Sequence, residues 1–206
     1  MDNVEGLQEF LYLTQVYQAV SLKTETETYR RRMVPADSIT GEGMTMGALY
    51  WQLNDIWQGA SWSSLEFGGQ WKLAHYYAEQ FFKPIILSPI VNGDNVELWM
   101  VCDKRIPDER WFISLQIYNF SSFTPTYIHD IDPVQTVTCR SRNATLIWEI
   151  ELDFFLRNGN CTLGSYDSIR LEYCLLSFEL LDWESQIVHS NYISAPPKVL
   201  NKIKCA

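Results

Sequence analysis

The 206-residue sequence predicts an α/β segment followed by an all-β domain. Three observations predict it. Residues 1–86 carry two apolar stripes at helical spacing around one short, non-alternating apolar run. Residues 87–206 break into short β-rich runs. Gly, Pro, Asn or Asp split those runs, as turns between antiparallel strands do.

In residues 1–86, Phe10, Leu13, Val16, Tyr17 and Val20 recur at three and four residues, so the chain opens with an amphipathic helix packed through that face. Its continuation, Lys23 to Arg32, offers i,i+4 contacts such as Glu27 to Arg31 on a solvated face. Pro35 stops the helix, and 36–43 is a polar loop. Met44 to Trp51 is apolar without alternation, the pattern of a strand buried on both faces in a parallel sheet or barrel. Leu73, Tyr77 and Phe81, with Ala74, Ala78 and Phe82 beside them, form a second helical stripe that Pro84 ends. Helix, strand, loop, helix is the closing rhythm of an α/β barrel. Such a barrel needs eight strands and about 250 residues, so this piece is expected to be incomplete on its own.

In residues 87–206 the expected strands are Val96–Cys102, Trp111–Phe120, Thr136–Cys139, Leu146–Leu152, Leu171–Phe178 and Ile187–Ile193. They fit two packed antiparallel sheets. Ile113, Leu115 and Ile117 alternate with Ser114 and Gln116, giving one buried and one wetter face. Asp153–Asn158 reads as a short helix or turn before the Asn158-Gly159 break.

Composition bounds the function. At 47% apolar and 20% charged the chain is globular with a real core, and its net charge of −9 argues against nucleic acid, whose phosphates select basic faces. No apolar stretch approaches the ~18–20 residues of a membrane span. The N-terminus lacks a signal-peptide pattern. His129 and His189 share no ligand spacing with a cysteine pair, so no zinc site is expected, and His75 reads as a surface or packing residue.

Chemistry concentrates in MGALYWQLNDIWQGASWSSLEFGGQW, where Trp51, Trp57, Trp62 and Trp71 are interleaved with Gln52, Asn54, Asp55 and Glu66. Sugar rings pack their C–H faces on indole while their hydroxyls take short amide and carboxylate partners, so the pattern suits carbohydrate. Tryptophans that merely fill a core are the alternative. At a barrel strand's C-terminal end the substrate-facing positions are Trp51, Gln52, Asn54 and Asp55. Regular alternation lets only one of Trp51 and Gln52 face a pocket. Glu42, Asp55 and Glu66 have no spacing that sets an acid/base pair.

Asn119-Phe-Ser, Asn143-Ala-Thr and Asn160-Cys-Thr are N-glycosylation sequons, and with Cys139, Cys161 and Cys174 they suggest a secretory-pathway protein. Cys161 and Cys174 flank a polar loop that a disulfide could close, though reduced, buried thiols remain the other reading of all five cysteines.

LYLTQVYQAVSLKTETETYRRR and MTMGALYWQLNDIWQGASWSSLEFGGQWKLAHYYAEQFFKPI resemble the last helix–strand–helix portion of the catalytic TIM (β/α)8 barrel of animal lysosomal β-mannosidases. These belong to the glycoside hydrolase family that also holds β-galactosidases and β-glucuronidases. The likeness covers about residues 8–86, and MGALYWQLNDIWQ is specific to the β-mannosidase branch. Residues 87–206 are similar more loosely, at GNCT and SAPPK, where the family has an immunoglobulin-like β-sandwich. The resemblance implies domains at 1–86 and 87–206.

It also implies a retaining mechanism that releases terminal non-reducing β-D-mannose from N-glycan-derived oligosaccharides, with two glutamates ~5–5.5 Å apart. Both lie on barrel strands upstream of this chain, so no catalytic residue is expected here. Glu66, in Ser-Leu-Glu-Phe-Gly, is not the nucleophile, because it follows strand eight and Leu65 interrupts the family's Ser-Glu-Tyr-Gly. By resemblance Trp51 is the platform under the sugar in the cleaved subsite. Asn54 and Asp55 either bind sugar or form a turn, and Trp57 and Trp62 either line the outer mouth or pack the loop. The implied partners are a β-mannoside oligosaccharide and the remainder of the same polypeptide, with no metal or organic cofactor. The implied compartment is the lysosome, with the signal peptide missing from this chain. A non-catalytic, carbohydrate- or protein-binding sandwich module is the alternative.

Overall fold

A computed structural model describes residues 4–103, 111–119, 122–131, 142–161 and 174–195. The chain divides into two compact units, Met1–Pro84 and Ile85–Ala206.

The first unit is built on helix α1 (Val4–Arg31) and helix α2 (Leu73–Phe81). Both helices form where expected, but α1 buries a different face. Phe10, Leu13, Tyr17 and Val20 are exposed, whereas Ala19, Thr26, Glu27 and Arg30 are buried. With Lys23 between them, these recur at four, three, one and three residues, a single helical stripe. Its chemistry explains the choice. Ala19, Ala74 and Ala78 are small and let the backbones approach. Glu27, only 3% exposed, pairs with Lys23 at 3.1 Å. Arg30 Nη1 donates to the Phe81 carbonyl at the end of α2, where the helix dipole favours a cation. Of the segment expected on a solvated face, Glu27 and Arg30 therefore lie inside, while the i,i+4 contact of Tyr29 with Glu25 stays exposed and Arg31 donates to Thr28 Oγ1.

The segment expected as a doubly buried strand, Met44 to Trp51, forms no ladder, and Met46, Leu49 and Trp51 are exposed. A central strand needs a hydrogen-bonded neighbour on each side. Within the described residues of this unit, pairing instead begins just beyond, in isolated bridges Asn54↔Leu65 and Leu65↔Trp71.

The second unit is a β-sandwich of an antiparallel three-stranded sheet and an antiparallel four-stranded sheet. The first has the order β1 (Ile85–Asn92), β2 (Asn95–Cys102), β5 (Asn143–Glu151), and the second β4 (Tyr127–Ile131), β3 (Phe112–Asn119), β6 (Cys174–Leu181), β7 (Ile187–Ala195). Period-two burial is cleanest in β6, where Cys174, Leu176, Phe178 and Leu180 are buried and their neighbours only partly so. On β3, Leu115 and Ile117 are buried as expected and Ile113 only partly, while Ser114, a small side chain set between Asp130 of β4 and Glu179 of β6 in the register, is buried as well. Helix α3 (Leu152–Asn158) inserts Phe155 into the core. Gly159 closes it where a Cβ would lie 2.5 Å from Ile117 Cγ2.

Two strands were not expected. β1 begins at Ile85, so the division expected after residue 86 falls inside it. Its Pro89 is tolerated because β1 is an edge strand that, among the described residues, pairs only with β2. The exposed edge is covered from β7: Leu87 N–H donates to His189 Nδ1 (3.1 Å) and its carbonyl accepts from Asn191 Nδ2 (2.8 Å). β4 is short and follows Thr124-Pro125. The expected strand Thr136–Cys139 and the start of Leu171–Phe178 lie outside the described residues, as do Cys139 and Cys205.

Cys161 and Cys174 are joined by a disulfide with Cα atoms 5.9 Å apart, tying the end of α3 to the start of β6. Cys102 is also disulfide-bonded.

Candidate functional site

The tryptophan-rich loop starts where the extended segment ends, and the Trp51–Gln52 peptide is cis. Residues 52–55 zip onto 63–65: Ser64 N–H donates to Gln52 O (3.0 Å), Leu65 N–H to Leu53 O (2.9 Å) and Asp55 N–H to Leu65 O (3.0 Å). Residues 56–62 make an excursion between those two feet. Trp57 and Trp62 lie on the excursion and Trp51 before it, and all three indoles are exposed, at 69%, 72% and 76%. Indoles that filled a core would not be. Trp71 packs edge-on against His75 (4.4 Å) and Tyr76 (5.0 Å).

Beneath the excursion, serines do the work that apolar side chains do elsewhere. Ser63 and Ser64 are fully buried. Ser64 Oγ meets the Leu53 carbonyl (3.0 Å), the Tyr50 hydroxyl (2.9 Å) and His75 Nδ1 (3.0 Å). A serine has one proton to give. With it on the carbonyl, Tyr50 donates and His75 carries its proton on Nδ1.

Asp55 is not displayed with the indoles. Its side chain is 7% exposed, accepts a hydrogen bond from Ser61 Oγ and pairs with Lys72 Nζ at 3.2 Å. Lys72 Nζ also donates to Ser63 Oγ at 2.9 Å. Hydrogen bonds from Ser61 and Ser63, with the Lys72 ammonium beside it, hold the Asp55 carboxyl below the usual carboxylate range. Asn54 is exposed, and its amide donates to its neighbour's carbonyl (Asp55 O, 3.3 Å), in keeping with a turn. Glu66 is exposed and its backbone closes a turn with Gly69 and Gln70. Glu42 faces Arg32 at 3.7 Å. The structure thus keeps the indoles outward and turns Asp55 into the loop. Sequence reasoning missed Ser61, Ser63 and Lys72; the small polar run Ser61-Trp-Ser-Ser64 was the available signal.

The three sequon asparagines differ sharply in access. Asn119 is 9% exposed on β3, opposite Cys174. Asn143 is half-buried at the start of β5, with its amide 3.4 Å from its own sequon's Thr145 hydroxyl. Asn160 is exposed in a left-handed turn. Among the described residues no group of three His, Cys, Asp or Glu side chains could hold a metal, and no helix is long and apolar enough to cross a membrane. His129 stacks between Tyr127 and Trp148.

The chain resembles known proteins over part of its length. The chain is 45% identical over 122 residues to bovine β-mannosidase and 54% identical over 124 residues to the mouse enzyme. It is a relative of animal β-mannosidases. The matched stretch is 59% of this chain but 13% of the bovine protein, so the chain spans a small fraction of its relatives' length. β-Mannosidase A of Aspergillus oryzae is 39% identical over 109 residues, half of this chain and 11% of that protein. No family model matches. Among solved structures, the exo-chitosanase CsxA of Amycolatopsis orientalis superposes with a TM-score of 0.59 at 18% identity, covering 91% of this chain and 19% of that one. That likeness bears on the fold alone.

Proposed function

We propose that this β-mannosidase relative is part of a retaining glycoside hydrolase that removes terminal non-reducing β-D-mannose from N-glycan-derived oligosaccharides. In this reading residues 1–84 are the closing portion of its TIM barrel, and residues 85–206 an immunoglobulin-like sandwich. The sequence identity to animal β-mannosidases carries the proposal. The site supports it, because three solvent-facing indoles on one loop offer the flat apolar surfaces that pyranose rings need.

Trp51 is the platform in the cleaved subsite, Trp57 and Trp62 line the outer mouth, and Asn54 supplies an amide for sugar hydroxyls. Asp55 acts through the loop it holds. The chain forms the strand-eight wall of the pocket, and the two glutamates that a retaining mechanism requires lie on the remainder of the polypeptide. The disulfide Cys161–Cys174 suits the secretory pathway, and a lysosomal destination follows from the same reading. Asn160, the exposed sequon asparagine, is the best placed to carry a glycan, ahead of Asn143 and the buried Asn119.

Hydrolysis of a chromogenic β-mannoside by this chain, beside a version extended upstream, tests the proposal. Turnover by the extended protein alone is the expected result. Turnover by the short chain would put the catalytic groups among its own residues, and turnover by neither would favour a non-catalytic carbohydrate- or protein-binding module.

A further inference from the structure

Lys72 occupies the N-cap of α2, yet its side chain makes no cap hydrogen bond there. A cation at a helix N-terminus is opposed by the helix dipole, so the needs of α2 do not explain this residue. Its surroundings do. The side chain is 11% exposed and its ammonium reaches Asp55 Oδ2 at 3.2 Å and Ser63 Oγ at 2.9 Å. Asp55 is the foot by which the chain enters the 56–62 excursion, and Ser63 the foot by which it leaves. Ser61 crosses from one foot to the other, donating to Asp55 and lying 2.9 Å from Ser63 Oγ. Asp55, Ser61, Ser63 and Lys72 therefore form a closed polar ring across the neck of the excursion. Trp57 and Trp62 lie within the excursion that the ring closes and are exposed, whereas Trp51 precedes it.

We propose that Lys72 is a positioning residue that, by clamping the two feet of the 56–62 excursion, fixes Trp57 and Trp62 for the leaving-group sugar without acting on the sugar being cleaved. The inference rests on the carbohydrate-site reading above and assigns Lys72 a share in specificity. A buried pair of this kind gives little net stability compared with an apolar pair, but it selects one loop conformation over others. Only substrates with a sugar on the leaving side would use what it selects.

The test compares two substrates on the upstream-extended protein: a β-mannosyl disaccharide, which fills the leaving-group position, and β-mannosyl fluoride, which leaves it empty. In Lys72→Met, KM for the disaccharide should rise roughly tenfold with kcat little changed, while both constants for the fluoride stay at wild-type values. Lys72→Arg, which keeps the charge and the reach to both feet, should restore the disaccharide KM. Equal losses on both substrates, or none on either, would overturn the inference while leaving the glycosidase reading intact. Failure of the wild-type protein to hydrolyse the fluoride would overturn the glycosidase reading itself. Should Lys72→Met not fold, Ser63→Ala removes one foot's contact and must show the same split between substrates.

Discussion

The two units place their apolar residues in opposite ways. In the sandwich, Leu98, Leu115, Ile117, Phe155, Leu176, Phe178 and Leu180 are all fully buried. In the first unit, Leu7, Phe10, Leu11, Tyr12, Leu13 and Tyr17 are exposed along α1, and much of what is buried is polar: Thr26, Glu27, Arg30, Ser63 and Ser64. The sandwich therefore closes on its own hydrophobic effect. The helical unit is held by directed hydrogen bonds and ion pairs, which specify geometry better than they add net stability.

The largest expected effect follows from making the units separately. Residues 85–206 should unfold cooperatively in urea and elute as a monomer, whereas residues 1–84 should self-associate through the open face of α1. Light scattering after size exclusion distinguishes them, and a monodisperse, cooperatively unfolding first unit would break the contrast. Next in size is a pair of truncations in the whole chain. Phe178→Ala should cost about 3–5 kcal/mol in urea denaturation, and Leu13→Ala less than about 0.5 kcal/mol.

A smaller effect is expected at the seam between the sheets. His189→Phe leaves the Leu87 N–H without its acceptor at a buried position, at a cost of about 1–3 kcal/mol. Since Nδ1 accepts that hydrogen bond, the ring is unprotonated at this atom. A loss within error would mean that burial alone holds β1 at β7.

The smallest effect concerns Asp55. Its folded-state pKa is lowered, so its contribution is present above the unfolded carboxylate value of ~3.9 and is lost as pH falls through the lower folded value. Thermal melts in an acid series should show a slightly steeper decline for the wild type than for Asp55→Asn. Superimposable curves would place the carboxylate outside the ring that the geometry gives it.

β2, β3 and β6 were legible as short β-rich runs, and on β3 the period-two alternation was legible too, because a strand with one face on a core must alternate. The stripe of α2 was legible in part: Ala74, Ala78 and Phe81 are buried, Leu73 and Tyr77 are half-buried, and Phe82 at the helix end is exposed. β1 was not, since Ile85-Ile86-Leu87 does not alternate and Pro89 argues locally against a strand. Only the neighbouring β7, about a hundred residues later, makes that edge tenable. The apolar face of α1 that the spacing marked lies uncovered in this chain, because hydrophobicity identifies a face that wants cover, not the neighbour that is present. At the site the tryptophans announced themselves by type. The carboxylate's role depended on Lys72, which in sequence is only the residue before a helix.

The cover that β7 gives to β1 also bears on solubility. A bare sheet edge is a template on which another chain can lay a strand. Here the Leu87 amide and carbonyl on that edge are occupied by His189 and Asn191. An intruding strand would have to displace both side chains before making its first hydrogen bonds at this position, so two residues of the second sheet act as a guard against fibril-like association through the first.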